Sequence, residues 1–235
     1  ASGAVQVGEV GSAGIAAAVS RGEPLELFWI LDDIGDAEAL VARKGSGIAK
    51  VADLKGKRIA MPFNSTTHFH TMVALDQAKI NPADVKILNM RPPEVRAAWQ
   101  RGDIDATFIW DPVLAEAKKD GAVVITSGQI TAATGKATFD GYVANKDWAK
   151  ANRDFMIKFV KVMADADAKY RDGGKNWKAD GAEVKAIAKW SGSKPEDVPA
   201  AIALYKFPSA KEQATRWLGG GKAAKPGEIS LAHHG

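Results

Sequence analysis

Short runs of aliphatic and β-branched residues alternate with longer segments of helical periodicity along the chain. The runs predict strands at residues 5–10, 25–31, 37–43, 57–63, 85–89, 106–110, 122–126 and 139–145. The 3.6-residue pattern predicts helices at 15–20, 64–79, 92–101 and 111–121, and mostly helix after residue 145. The stretch 130–136, which contains glycine and threonine, is predicted as a loop. This alternation is typical of an α/β fold built on parallel sheets.

The composition is that of an ordinary globular protein, and it excludes several kinds of site and partner. The 235 residues are 46% apolar and 26% charged, which is enough to bury a core. Lys plus Arg number 32 against 28 for Asp plus Glu, and no local basic cluster appears, so nucleic acid is not an expected partner. The absence of cysteine excludes a disulfide framework, a thiolate zinc site and a cysteine nucleophile.

The sequence contains no segment expected to cross or enter a membrane. Its apolar runs, such as residues 25–31, are far shorter than the ~18 residues that a spanning helix needs. Ala1 does not open a basic and then apolar leader, so the sequence alone leaves a cytoplasmic protein or a processed chain as expectations.

Two predicted helices start directly after predicted strands, where ligands of open α/β sheets bind. Ser65, Thr66 and Thr67 begin the first, and their hydroxyls and backbone N–H groups could bind an anion. The same residues also fit an ordinary N-cap. Gly11 and Ser12 repeat the arrangement, with a plain turn as the alternative.

Two carboxylates lie where a ligand could meet them. Asp111 follows Trp110 at a strand end, where the indole could pack on a ligand and the carboxylate could hold a cation or cap the next helix. Asp140 lies in the apolar strand 139–145, where a carboxylate is costly unless it is paired. A ligand ammonium or a lysine or arginine of the chain could pair with it.

Metal binding and catalysis are not expected. His68 and His70 are two residues apart, so a helix does not place them on one face. The sequence has no nucleophile elbow, phosphate loop, dinucleotide fingerprint or zinc-protease motif. The absence of a nucleophile–base–orienter pattern disfavours an enzyme.

Several of these segments resemble one family, the periplasmic substrate-binding proteins of taurine and aliphatic sulfonate ABC importers. The similarity lies in residues 56–68, in Pro92-Pro93 with 97–105, in 35–41, and in 1–8 with Gly11-Ser12, and it covers roughly residues 1–218.

The resemblance implies a type II periplasmic binding fold, in which two α/β lobes close on a ligand through a hinge of two crossings. Lobe I would comprise 1–42 and 138–235, without the family's first βα unit and with an unpaired sheet edge. Lobe II would be 43–137. Such a protein is periplasmic, its leader lying upstream of Ala1. It catalyses nothing, needs no cofactor, and hands a small ligand to a membrane permease.

The resemblance also implies the roles of individual residues. Hydroxyls and amides of Ser65, Thr66 and Thr67 would hold a sulfonate, and Asp140 would pair with an ammonium. The full set of implied ligand-binding residues is Gly11, Ser12, Gly35, Asp36, Ser65, Thr66, Thr67, Trp110, Asp111 and Asp140. Arg91 and Asp111 depart from the pattern of the taurine binders, which could shift ligand selectivity.

Three alternatives stay open at this point. The same fold could bind another small anion, such as nitrate or an aromatic or carboxylic acid. It could be an enzyme of the pyrimidine-precursor type, although the absence of cysteine counts against that. The chain could also be an interaction module without a ligand.

Overall fold

The computed structural model describes residues 4–218. The strands are β1 (Val7–Gly11), β2 (Leu25–Asp33), β3 (Ala39–Arg43), β4 (Arg58–Met61), β5 (Lys86–Asn89), β6 (Ala106–Ile109), β7 (Gly121–Thr126) and β8 (Phe139–Asn145). The helices are α1 (Ser12–Ser20), α2 (Thr66–Gln77), α3 (Pro92–Arg101), α4 (Val113–Asp120), α5 (Ser127–Thr134), α6 (Lys146–Ala151), α7 (Arg153–Gly173), α8 (Ala182–Ser191), α9 (Val198–Ile202) and α10 (Ala210–Glu212). Short 3₁₀ turns join several of them, and a π-helical turn follows α10.

The chain forms two compact units. The first contains the described parts of Ala1–Asp33, Thr138–Asn176 and Lys206–Gly235, and the second contains Ile34–Ala137 and Trp177–Tyr205. Residues 34–42, assigned to lobe I from the sequence, thus fall in the second unit, because β3 hydrogen-bonds between β6 and β7. Residues 177–205 also join the second unit, so the chain passes between units more often than the two predicted crossings.

The first unit is built on a three-stranded sheet in the order β1-β8-β2. Both strand pairs are antiparallel, with Gly11 opposite Asp140 and Asp32 opposite the same residue on the other side. In the described chain β1 is an edge strand. The start of β8 therefore lies between the ends of β1 and β2.

Helix α7 packs on this sheet through aromatic and polar contacts. The Phe159 ring lies edge-on to Tyr142 of β8 at 5.2 Å between centroids. The Trp29 indole donates to the Asp167 carboxylate at 3.2 Å, and burial raises the pKa of Asp167 to about 6. The Gln213 side chain both donates to and accepts from the backbone of Ile30 in β2.

The second unit is built on a five-stranded sheet in the order β5-β4-β6-β3-β7. Strand β4 pairs in parallel with β5 and β6, whereas β3 is antiparallel to β6 and β7. The parallel pairing expected from the strand–helix alternation is therefore present at β4 but not at β3, and the α/β fold class is confirmed. Parallel pairing is limited to the strands that α2 and α3 connect.

Helices cover both faces of this sheet, and its central strands β3, β4 and β6 are almost entirely buried. Leu40 and Ala42 of β3 belong to the apolar cluster that includes residues of α2 and α5. Ala39 and Val41 belong to the cluster formed with α3 and α4. This alternation is the two-residue period of a strand. A smaller cluster of Val184, Ala188 and Val198 holds α8 and α9.

Two further predictions are corrected. Residues 130–136 are not a loop, because α5 covers most of them. Its start carries a capping box of Thr126 and Gln129, and its small apolar residues gave little periodic signal. The long helix predicted after residue 145 is divided at Asn152 into α6 and α7. Within residues 4–218, every helix is too short or too polar to span a bilayer.

Candidate functional site

The first turn of α2 is held by hydroxyl contacts. The Ser65 Oγ accepts from the His68 amide at 3.2 Å, as an N-cap does. The same oxygen lies 2.6 Å from the Pro62 carbonyl and 2.8 Å from the Thr67 hydroxyl. A carbonyl only accepts, so Ser65 donates to Pro62 and Thr67 donates to Ser65. Both hydroxyl hydrogens are thus used inside the protein.

The Thr66 hydroxyl is also engaged, because it donates to the carboxylate of Glu38. An anion at the start of α2 would therefore meet mainly the backbone N–H groups of Thr66 and Thr67, which have no intrahelical acceptor. Of the hydroxyl and amide donors that the resemblance implies, this geometry favours the amides.

A buried series of hydrogen-bonded polar side chains lies behind this turn and joins α2 to α5. Glu38 also accepts from the Ser127 hydroxyl at 3.2 Å, and Ser127 lies 2.8 Å from the His70 Nδ1. The His70 Nε2 contacts the Lys136 carbonyl at 2.9 Å. Glu38, His70 and Ser127 are 3%, 0% and 1% exposed. Burial lowers the pKa of His70, partly offset by the Lys136 contact.

The two histidines of α2 have separate surroundings. His68 stacks on Phe63 with ring centroids 4.4 Å apart, and its Nδ1 accepts from the Asn64 amide. Burial lowers the pKa of His68 as well. Among residues 4–218 no cluster of metal-binding side chains is present.

Gly35 and Asp36 support the start of α5. Gly35 has φ of 53°, a left-handed conformation that suits glycine. The Asp36 carboxylate accepts from the hydroxyl of Thr126, the N-cap of α5. A Cβ at Gly128 would lie 2.4 Å from the Asp36 Oδ1 and 3.2 Å from the backbone carbon of Gly35, so a larger residue at 128 would displace the Asp36 side chain.

Trp110 and Asp111 lie at the end of β6. Trp110 is partly buried and packs against the cluster of α3 and α4. The Asp111 carboxylate accepts from the Ala115 amide at 2.8 Å, which fits the capping alternative. Burial raises the pKa of Asp111, which the Ala115 contact partly opposes.

In the first unit, Gly11, Ser12 and Asp140 come together at one end of the sheet. Gly11 is opposite Asp140 in the ladder and is also the N-cap of α1. The Ser12 hydroxyl accepts from the Phe139 amide at 3.3 Å. The start of α1 and the start of β8 are thus joined by one side chain.

Asp140 has unfavourable electrostatic surroundings. Burial, together with the negative charge of Glu9, raises its pKa from 3.8 to about 7. In the described chain, no ion pair or side-chain hydrogen bond involves Asp140. The lysine or arginine partner considered as an alternative is therefore not found among the described residues.

The predicted residues fall into separate groups. Gly11, Ser12 and Asp140 are in the first unit, and the other seven are in the second. The sequence interpretation missed Glu9, Glu38 and Ser127, and it considered His70 only as a metal ligand. The Thr126-x-x-Gln129 capping box could have placed Ser127 at a helix start. No local pattern pairs it with Glu38.

Similarity to solved structures defines the class as the periplasmic binding protein fold. The structure of the periplasmic aliphatic sulphonate binding protein SsuA from Escherichia coli matches with a TM-score of 0.69 at 25% identity. The match covers 89% of this chain and 67% of that one. The fold predicted from the sequence is thereby confirmed.

The chain belongs to the NMT1/THI5-like family, whose profile matches residues 1–170. The taurine-binding periplasmic protein of Escherichia coli is 37% identical over 219 residues, which are 93% of this chain and 68% of that protein. A putative aliphatic sulfonates-binding protein of the same organism is 31% identical, and the match covers 71% of this chain and 51% of that protein. The predicted resemblance is confirmed, as is the prediction of a binding protein rather than an enzyme.

Proposed function

We propose that this chain is the solute-binding component of an ABC importer that captures taurine or a similar small alkanesulfonate. In this proposal the protein is periplasmic and delivers its ligand to a membrane permease, and the two units are the two lobes of the binding protein. The similarity to the taurine-binding protein over 93% of the chain supports the ligand class.

The observation that carries the proposal is Asp140. A carboxylate that has no cationic partner in the described chain, and whose pKa is about 7, can bind a ligand ammonium. A bound ammonium would favour the ionised form and remove much of the cost of burial. Gly11 allows close approach at this point, because it brings no side chain opposite Asp140.

The second unit supplies the complementary chemistry. The start of α2 offers backbone N–H groups and the positive end of a 12-residue helix. No arginine or lysine is hydrogen-bonded to Ser65, Thr66 or Thr67 in the described chain. Binding by neutral donors suits a ligand that must later be released. A sulfonate fits the donors at the start of α2, and an ammonium fits Asp140.

Isothermal titration calorimetry with three ligands tests this function. Taurine carries both groups, ethanesulfonate lacks the ammonium, and β-alanine replaces the sulfonate with a carboxylate. We expect taurine to bind with a Kd of about 1 µM or lower and to bind more tightly than either analogue. Equal affinity for β-alanine would exclude a sulfonate-specific site, and equal affinity for ethanesulfonate would exclude the role of Asp140.

A further inference from the structure

Four buried side chains connect the start of α2 to the start of α5. In order they are Thr66, Glu38, Ser127 and His70. Thr66 is the first residue of α2 and Ser127 is the first residue of α5. The Glu38 carboxylate therefore lies at the positive ends of two helices, which helps to stabilise its charge.

The hydrogen atoms shared among these four side chains can be counted. The Lys136 carbonyl only accepts, so the His70 Nε2 carries a hydrogen. The two contacts of Ser127, with the His70 Nδ1 and with the Glu38 Oε2, need two hydrogens. The hydroxyl of Ser127 supplies one. The other must come from a protonated imidazole or from a protonated carboxyl group.

Glu38, Ser127 and His70 thus hold one shared proton, and with it their net charge is zero. Removing that proton breaks one hydrogen bond and leaves a net negative charge in the interior. The charge would lie against the first turn of α2 through Thr66. A ligand anion at that turn would then be repelled.

We propose that the proton shared by Glu38, Ser127 and His70 sets the anion affinity at the start of α2, so that affinity falls when the proton leaves. This inference rests on the proposed function, because it concerns the same anion site.

His68, Asp36 and Lys136 are the nearby charged or titratable residues whose contacts are described. His68 lies on the same helix and contacts Phe63 and Asn64. Asp36 is two residues before Glu38 and accepts from Thr126. Lys136 contributes its carbonyl, and α5 itself carries no charged residue. Asp140 titrates in the first unit, so a test must cancel its contribution.

The test compares ethanesulfonate affinity by calorimetry from pH 5 to pH 9 in wild type, Glu38→Gln and Glu196→Gln. Ethanesulfonate keeps one charge over this range, and Asp140 is present in all three chains. Glu196 is an exposed carboxylate of the same unit and serves as the matched control. The ratio of wild-type to Glu38→Gln affinity should fall by about 5-fold or more with rising pH. The ratio to Glu196→Gln should stay constant.

A constant ratio to Glu38→Gln overturns the inference while leaving the proposed function intact. If ethanesulfonate does not bind at any pH, the same ratios are measured with taurine, and absence of binding to either ligand overturns both proposals. If Glu38→Gln folds poorly, His70→Gln is measured instead, because it removes the imidazole from the same hydrogen-bonded series. Its ethanesulfonate affinity should likewise lose the fall with rising pH that wild type shows.

A ligand-free measurement tests the shared proton directly. The imidazole NMR resonances of His70 should titrate at a pH lower by about one unit or more in Glu38→Gln, because the carboxylate that stabilises the charged ring is gone. His68 is the internal control. An unchanged His70 midpoint shows that no proton is shared.

Discussion

Glu38 in the second unit is a fully buried carboxylate and Asp140 in the first is a partly buried one, and their surroundings are opposite. Glu38 accepts hydrogen bonds from Thr66 and Ser127 at two helix starts. Asp140 meets burial and the negative charge of Glu9. Glu38 thus has hydrogen-bond donors within the protein, whereas Asp140 has no side-chain hydrogen bond in the described chain.

This difference separates structural stabilisation from ligand recognition. A buried carboxylate with two donors holds elements together, since removing it leaves polar groups without partners. A buried carboxylate without donors weakens the fold when it is ionised, so its presence needs another explanation. In the proposed function, ligand binding gives that explanation for Asp140.

The largest expected effect is on stability. Glu38→Ala should lower the free energy of unfolding by about 3 kcal/mol, because Thr66 and Ser127 lose their acceptor in the interior. Asp140→Ala should not lower it at pH 8. Urea denaturation followed by circular dichroism measures both, with Glu196→Ala as the exposed control. If both acids destabilise equally when removed, the contrast between them is wrong.

A second effect concerns binding. Asp140→Asn should weaken taurine by about 10- to 100-fold, since a charge-assisted hydrogen bond contributes about 1.5–3 kcal/mol. Ethanesulfonate has no ammonium and should lose much less. Titration calorimetry gives both affinities. An equal loss for the two ligands would mean that Asp140 acts through the fold.

A third effect depends on pH. The pKa of Asp140 is raised from 3.8 to about 7, so the folded state binds a proton that the unfolded state releases in this window. Stability should therefore fall as the pH rises through the window. Asp140→Asn should remove this fall and be more stable than wild type by about 1–2 kcal/mol at pH 8. Denaturation curves at pH 4 and pH 8 test this, and equal differences at both would contradict it.

The smallest effect is expected at Asp111. Its carboxylate already accepts from Ala115, so Asp111→Asn should change taurine affinity by less than about 2-fold and cost about 0.5 kcal/mol of stability. Parallel calorimetry and urea denaturation check this. A large loss of taurine affinity would place a second carboxylate at the ligand.

The sequence predicted features that depend on neighbouring residues. The helix start at Ser65 and the end of α3 at Gly102 were visible, because caps and left-handed glycines act within a few positions. The cost of burying Asp140 also followed from its apolar strand.

Other features depend on residues far apart in the chain, and these were not predictable. Glu38 and Ser127 are 89 positions apart, and no local pattern joins them. The antiparallel pairing of β3 with β6 and β7 also needs long-range register. Helix α5 was missed because small residues give almost no periodic contrast.

The close approach of Gly128 to Asp36 has an evolutionary consequence. A methyl group at 128 would collide with an acidic side chain that is itself fixed by Thr126. Alanine at 128 would therefore require the Asp36 side chain to shift, which would disturb its contact with Thr126. Covariation of positions 36 and 128 among related sequences would record that constraint.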